Sequence, residues 1–124
     1  MQIGDVFKVK DPLYDLLEWG HLFSEATHTL VVALSMFVAA KGNIEEAIVG
    51  AVMYGRDKDS YASVAGALAG AYRGAESIRK DWIETVSNAN REVSMLEYAT
   101  KLATIIASDE VKTRKTLDDV RSLI

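Results

Sequence analysis

Apolar and polar positions along the chain repeat with helical spacing and show almost no two-residue alternation, which predicts an all-α protein. Asp11-Pro12 reads as a helix start, with Asp as N-cap and Pro at the first helical position, leading a short helix through Leu13, Leu16 and Leu17 to about Gly20. A second helix is expected from about Ser24 to Ala40, stopping at Lys41-Gly42. Asn43 caps a third, with Glu45 and Glu46 in its positive first turn and Ile44, Ala47, Ile48, Ala51 and Val52 on its apolar face. That helix breaks around Tyr54-Gly55. Next comes a polar loop, Gly55 to Ser60, and an Ala/Gly helix from Tyr61 to Arg73 capped by Asp59 or Ser60. A short helical piece from Ile78 to Val86 surrounds Trp82. The periodic stretch from Arg91 to Ala107 and a polar amphipathic helix over about 109–124 complete the chain.

Length adds a bound. The 124 residues fit one domain or part of one, with no repeat and no interdomain linker. Fourteen basic and eighteen acidic residues give a net charge of −4, which speaks against nucleic acid as a partner because phosphate binding needs a clustered positive surface. With no cysteine there is no disulfide frame, thiolate site or cysteine nucleophile, and the composition fits the cytoplasm. Charged residues among Met1 to Pro12 oppose a signal peptide. The runs Thr29 to Ala40 and Tyr61 to Ala75 are too short or too interrupted to span a bilayer, so no membrane role is expected.

The chemistry-bearing feature is Asp57-Lys58-Asp59-Ser60. Two carboxylates and a hydroxyl are hard oxygen ligands for Mg²⁺, Mn²⁺ or Ca²⁺. In an extended loop Asp57 and Asp59 would point the same way and Lys58 the other. An EF-hand is excluded, because Tyr61, Ala62 and Leu68 stand where that loop needs a ligand, a Gly and a Glu. From spacing alone, helix capping by Asp59 or Ser60, with Asp57 merely solvated, is the favoured reading, since capping is the usual job of these residues. Gly66, Gly70 and Gly74, at spacings of four, predict a face where another backbone packs closely behind that loop.

The wider context separates the two readings. The sequence from Gly55 to Ser60, then Ala62-Ser63-Val64-Ala65-Gly66-Ala67-Leu68-Ala69-Gly70-Ala71-Tyr72, Gly74, Ile78 and Trp82, resembles the ADP-ribosylglycohydrolase family without a gap. That family carries a G-x-D-x-D-[ST] loop, an Ala/Gly helix and an I-P-x-x-W segment. Weaker resemblance at Thr27 to Leu30 and Gly42 to Ile48 extends it over about residues 20–107, the C-terminal part of the family's domain. The resemblance implies an all-α fold around paired Mg²⁺ ions (Mn²⁺ as the alternative). It also implies hydrolysis of an N- or O-ribosyl bond in an ADP-ribosylated protein or small ADP-ribosyl compound, and Asp57, Asp59 and Ser60 as metal ligands. Departures are Ser60 for the commoner Thr, Lys58 inside the acidic loop and Arg79 for Pro. Family domains are about twice as long, and their T-D-D-type motif and acid–base carboxylates have no counterpart between Met1 and Ile124. The catalytic residues are therefore unassigned and the chain is expected to hold half a site. The alternative class is a non-catalytic helical module that forms a homo-oligomer or joins a complementary chain through exposed apolar surface.

Other constellations are weaker. Glu25-x-x-His28 has the spacing of di-iron carboxylate bundles but occurs once, which favours His28 as a core or interface residue. His21 and His28 are two helical turns apart, roughly 10 Å, too far to share a metal. Ser24 and Ser35 lack a triad pattern. Tyr54, Tyr61 and Tyr72 are candidates for stacking on adenine, but tyrosines on apolar helices more often edge a core. Lys112 to Lys115 is balanced by Asp109, Glu110, Asp118 and Asp119 and reads as a solvated face.

Overall fold

The computed structural model describes residues 5–17 and 26–122. Among them every regular element is helical, as the spacing predicts. The chain divides into two compact units, Met1–Lys80 and Asp81–Ile124.

In the first unit α1 (Val6–Leu16) buries Val6, Val9 and Leu13 along one face. Its start differs from expectation. Asp5 is the N-cap, its carboxylate accepting from the Phe7 amide at 3.1 Å, and Pro12 lies inside the helix. Proline removes an interior hydrogen bond, yet the helix runs past it because its buried positions at i, i+3 and i+7 continue on both sides. α2 is described over Ala26–Ala39; the expected start at Ser24 falls in residues 18–25, with His21 and Glu25, which lie outside the described residues. His28 is buried on α2, as a core histidine should be.

α3 (Ile44–Tyr54) starts as expected, with the Asn43 side chain accepting from the Glu46 amide at 3.0 Å. The turn before it depends on Gly42, whose φ is +74° and whose Cβ position would fall 2.5 Å from the Tyr72 ring. α4 (Lys58–Arg73) begins three residues earlier than the spacing predicts and ends on Gly74. Ala47 and Ala51 of α3 and Ala65 and Ala69 of α4 are fully buried, which small side chains permit when helix axes approach. Val32, Met36, Tyr54 and Tyr61 fill the space left between them. A single 3₁₀ turn (Ala75–Ser77) follows, and Arg79, where the family pattern has proline, reaches back to Glu45 at 2.8 Å.

The predicted glycine face is corrected by the packing. Gly66 meets Ile48 of α3, 3.1 Å from where a Cβ would stand, but Gly70 faces nothing within 4 Å among the described residues. Gly74 is the C-cap, with φ +84°, and no longer part of the helix. The close backbone approach is at Gly50 of α3, where a Cβ would stand 2.8 Å from Val6 Cβ and 3.1 Å from the Met36 sulfur.

The second unit holds α5 (Lys80–Ala89) from its second residue onward and then α6 (Met95–Arg121). The expected break near Ser108 does not occur: no Gly or Pro interrupts 95–121, and a change in polarity alone does not end a helix. Short-range pairs Glu97–Lys101 and Glu110–Arg114 line it, so the charge run at Lys112 to Lys115 is a solvated face. Leu96, Tyr98, Leu102, Ile105, Ile106, Val111 and Leu117 of α6 are exposed.

The glycine contacts predict substitutions of opposite sign. Gly50→Ala should lower unfolding free energy by about 1–3 kcal/mol, since its Cβ meets a stem atom that cannot yield without backbone movement. Gly70→Ala should raise it by about 0.5–1 kcal/mol through helix propensity in open space. Urea denaturation of both variants checks the pair.

Candidate metal centre

The expected ligands stand at the head of α4. Asp57 is the N-cap, half-buried, and its side chain makes no capping hydrogen bond. Lys58 and Asp59 occupy the first turn and are exposed, while Ser60 is half-buried. The expectation of an extended loop, and of Asp59 or Ser60 as cap, is therefore corrected: helix begins at Lys58. Residues three apart lie on one side of a helical turn, so the backbone brings Asp57 and Ser60 to one side of the head of α4, with Asp59 in the first turn between them. Lys58 lies next to neither by that spacing.

The turn that delivers Asp57 is unusual. Gly55 has φ +89° and ψ −161°, a combination that only glycine adopts readily. Arg56 follows at φ +59°, a left-handed conformation that costs a side-chain-bearing residue roughly 1–2 kcal/mol. Contacts from α1 offset that cost. The Tyr14 hydroxyl donates to the Tyr54 carbonyl at 3.1 Å and accepts from Arg56 Nε at 3.3 Å. The Arg56 guanidinium also lies over the Tyr14 ring, 5.1 Å from its centroid. Lys10 of α1 donates to the Met53 carbonyl at 3.1 Å. Two of the carbonyls left open at the C-terminus of α3 are thus satisfied from α1.

Three tyrosine rings pack beneath this turn. Tyr14 and Tyr54 lie 4.6 Å apart between centroids, and Tyr54 and Tyr61 meet edge to face at 5.7 Å. Tyr54 and Tyr61 are buried to 1% and 0% exposure, so they are core residues and not a stacking surface for adenine. Tyr72 is exposed and edges against Phe37 at 5.8 Å. Burial pushes the Tyr54 phenol up to about 12, with its Tyr14 and Tyr61 neighbours adding and Arg56 opposing. Burial raises Tyr61 as well, with the Asp57 charge adding to the effect. The Tyr54 hydroxyl is buried with no hydrogen-bond partner among the described residues.

Asp57, Asp59 and Ser60 fit a hard divalent cation by donor chemistry but supply three oxygens, where Mg²⁺ takes six ligands. Among the described residues no group of three His, Cys, Asp or Glu side chains gathers as a metal site. An open apolar groove of about 390 Å³ lies elsewhere, between α1 and α2, lined by Val9, Pro12, Leu13, Leu16, Leu34, Ser35, Val38 and Ala39. Among the described residues, Ser35 thus shares this groove with apolar neighbours only.

This motif, an all-helical frame around it and an Ala/Gly helix behind it define the class. Residues 4–114 match the family profile described as ADP-ribosylglycohydrolase, and the chain belongs to that family. The match begins earlier and ends later than the 20–107 expected from motifs, and so includes α1. Comparison with curated proteins and with solved structures gives no match. No helix among the described residues is long and apolar enough to cross a membrane.

The Tyr54 phenol sets a pH dependence. Its folded value lies above the ordinary value of about 10, so stability is full below pH 10 and is lost as pH rises from about 10 to 12. About two units correspond to roughly 3 kcal/mol. Tyr54→Phe should remove this part of the alkaline loss and cost little at pH 7, since the hydroxyl has no partner to forfeit. Urea midpoints at pH 7, 10 and 12 for both proteins check it.

Proposed function

We propose that the chain contributes the Asp57-Asp59-Ser60 half of a divalent-metal site for hydrolysis of ADP-ribosyl bonds. Family membership across this motif carries the reading. Asp57 and Asp59 supply charge for Mg²⁺ or Mn²⁺ and Ser60 a neutral oxygen. The substrate class is an ADP-ribosylated protein or a small ADP-ribosyl compound, cleaved at its N- or O-ribosyl bond. Bound metal would orient the ribose hydroxyls and the attacking water, lowering the barrier to an oxocarbenium-like state. This chain's residues anchor that metal at the head of a helix whose buried Tyr61, Ala65 and Ala69 fix it to α3. Three oxygens leave at least half the coordination shell to water, substrate or another polypeptide.

A second reading, a helical module that self-associates or pairs with a complementary chain, is favoured by the exposed apolar side chains of α6. Light scattering separates the two: concentration-dependent association is expected of the module, and a monomer at high concentration counts against it.

Calorimetric titration with Mg²⁺ tests the first reading. The native chain should give a binding heat that Asp57→Ala and Asp59→Ala each abolish, while releasing little or no ADP-ribose from a modified protein. Heat indifferent to both substitutions contradicts the metal assignment. ADP-ribose release that Asp59→Ala abolishes contradicts the half-site.

A further inference from the structure

The contacts at the start of the motif single out one residue outside it. Arg56 stands immediately before Asp57 in a left-handed conformation. A strained backbone persists only where surrounding contacts over-determine it. Those contacts come from α1, 42 positions earlier in the chain, and they converge on the Tyr14 hydroxyl. That oxygen is bonded on both sides of the Gly55 turn, to the Tyr54 carbonyl before it and to Arg56 Nε after it. The ring beneath it carries the guanidinium and packs on Tyr54. A side chain that grips both ends of a two-residue turn fixes the direction in which the next residue leaves, and the next residue is Asp57.

We propose that Tyr14 is a positioning residue for the metal site: its hydroxyl clamps the Gly55-Arg56 turn and thereby sets where the Asp57 carboxylate is presented. The inference rests on the metal reading above. Outer residues that orient metal ligands typically alter affinity by 10–100-fold when removed. The Tyr14 hydroxyl bonds to the Tyr54 carbonyl and to Arg56 Nε, so its effect on Asp57 passes through Arg56 and the turn. Lys10 supplies the internal comparison, because it caps the neighbouring Met53 carbonyl from the same helix and meets Tyr14 only over its ring, 5.7 Å from the centroid, a contact that Tyr14→Phe keeps.

The test uses the full chain, Mn²⁺ as the probe with its free form followed by electron paramagnetic resonance, and amide hydrogen exchange at Arg56 and Asp57. Tyr14→Phe keeps the ring and removes both hydrogen bonds. It should weaken Mn²⁺ binding at least about tenfold and speed exchange at Arg56 and Asp57, with exchange at Ala47 to Ala51 unchanged. Lys10→Met should leave Mn²⁺ affinity and exchange at Arg56 and Asp57 as in the native chain. Binding that Asp57→Asn abolishes but Tyr14→Phe leaves intact overturns the positioning role and spares the metal reading. A native chain that binds no Mn²⁺, or binds it equally as Asp57→Asn, overturns both. Equal losses in Tyr14→Phe and Lys10→Met also overturn the inference, since they would mean that α1 merely stabilises α3.

Discussion

The first unit depends on how α1 closes the end of α3. A helix leaves its last carbonyls without partners, and here two of them receive donors from Lys10 and Tyr14. The same tyrosine oxygen then holds Arg56, so one side chain ends a helix, shapes a turn and starts the motif. The tyrosine rings below join this polar clasp to the apolar core. Tyr54 belongs to α3 and Tyr61 to α4, and their edge-to-face contact fixes the two helices on either side of the turn. Remove α1 and the motif keeps its sequence but loses the contacts that hold its backbone.

That arrangement gives the N-terminal helix a meaning that motif recognition alone misses. The resemblance read from Gly55 to Trp82 begins after α1, yet the family match starts at residue 4 and takes it in. Two sequence features, Tyr14 and the left-handed Arg56, become connected only through the fold.

Local signals in the sequence were legible where one residue type does one job. Asn43 caps α3, Gly42 turns the chain before it, and Gly55 ends it, each by short-range geometry. Signals that depend on a distant partner were not. Gly66, Gly70 and Gly74 share a spacing, but spacing does not say what lies opposite; among the described residues Ile48 stands over the first and nothing within 4 Å over the second. Asp11-Pro12 has the chemistry of a helix start, yet Asp5 begins the helix because Val6 and Val9 continue the buried face upstream. Ser108 marks a change of polarity without any residue that breaks a helix, so α6 runs through it. The metal candidates were legible as residue types. Their disposition was not, because Asp57 caps α4 and places Asp59 inside its first turn.

The central claim is that Asp57, Asp59 and Ser60 hold a divalent cation at the head of α4. A crystal of the full chain grown with Mn²⁺ and recorded at a wavelength where manganese scatters anomalously tests it most directly. The account predicts an anomalous peak within coordination distance of the Asp57 and Asp59 carboxylates and the Ser60 hydroxyl, with water or a second polypeptide completing the shell. A peak at other side chains, with the head of α4 bare, would contradict it.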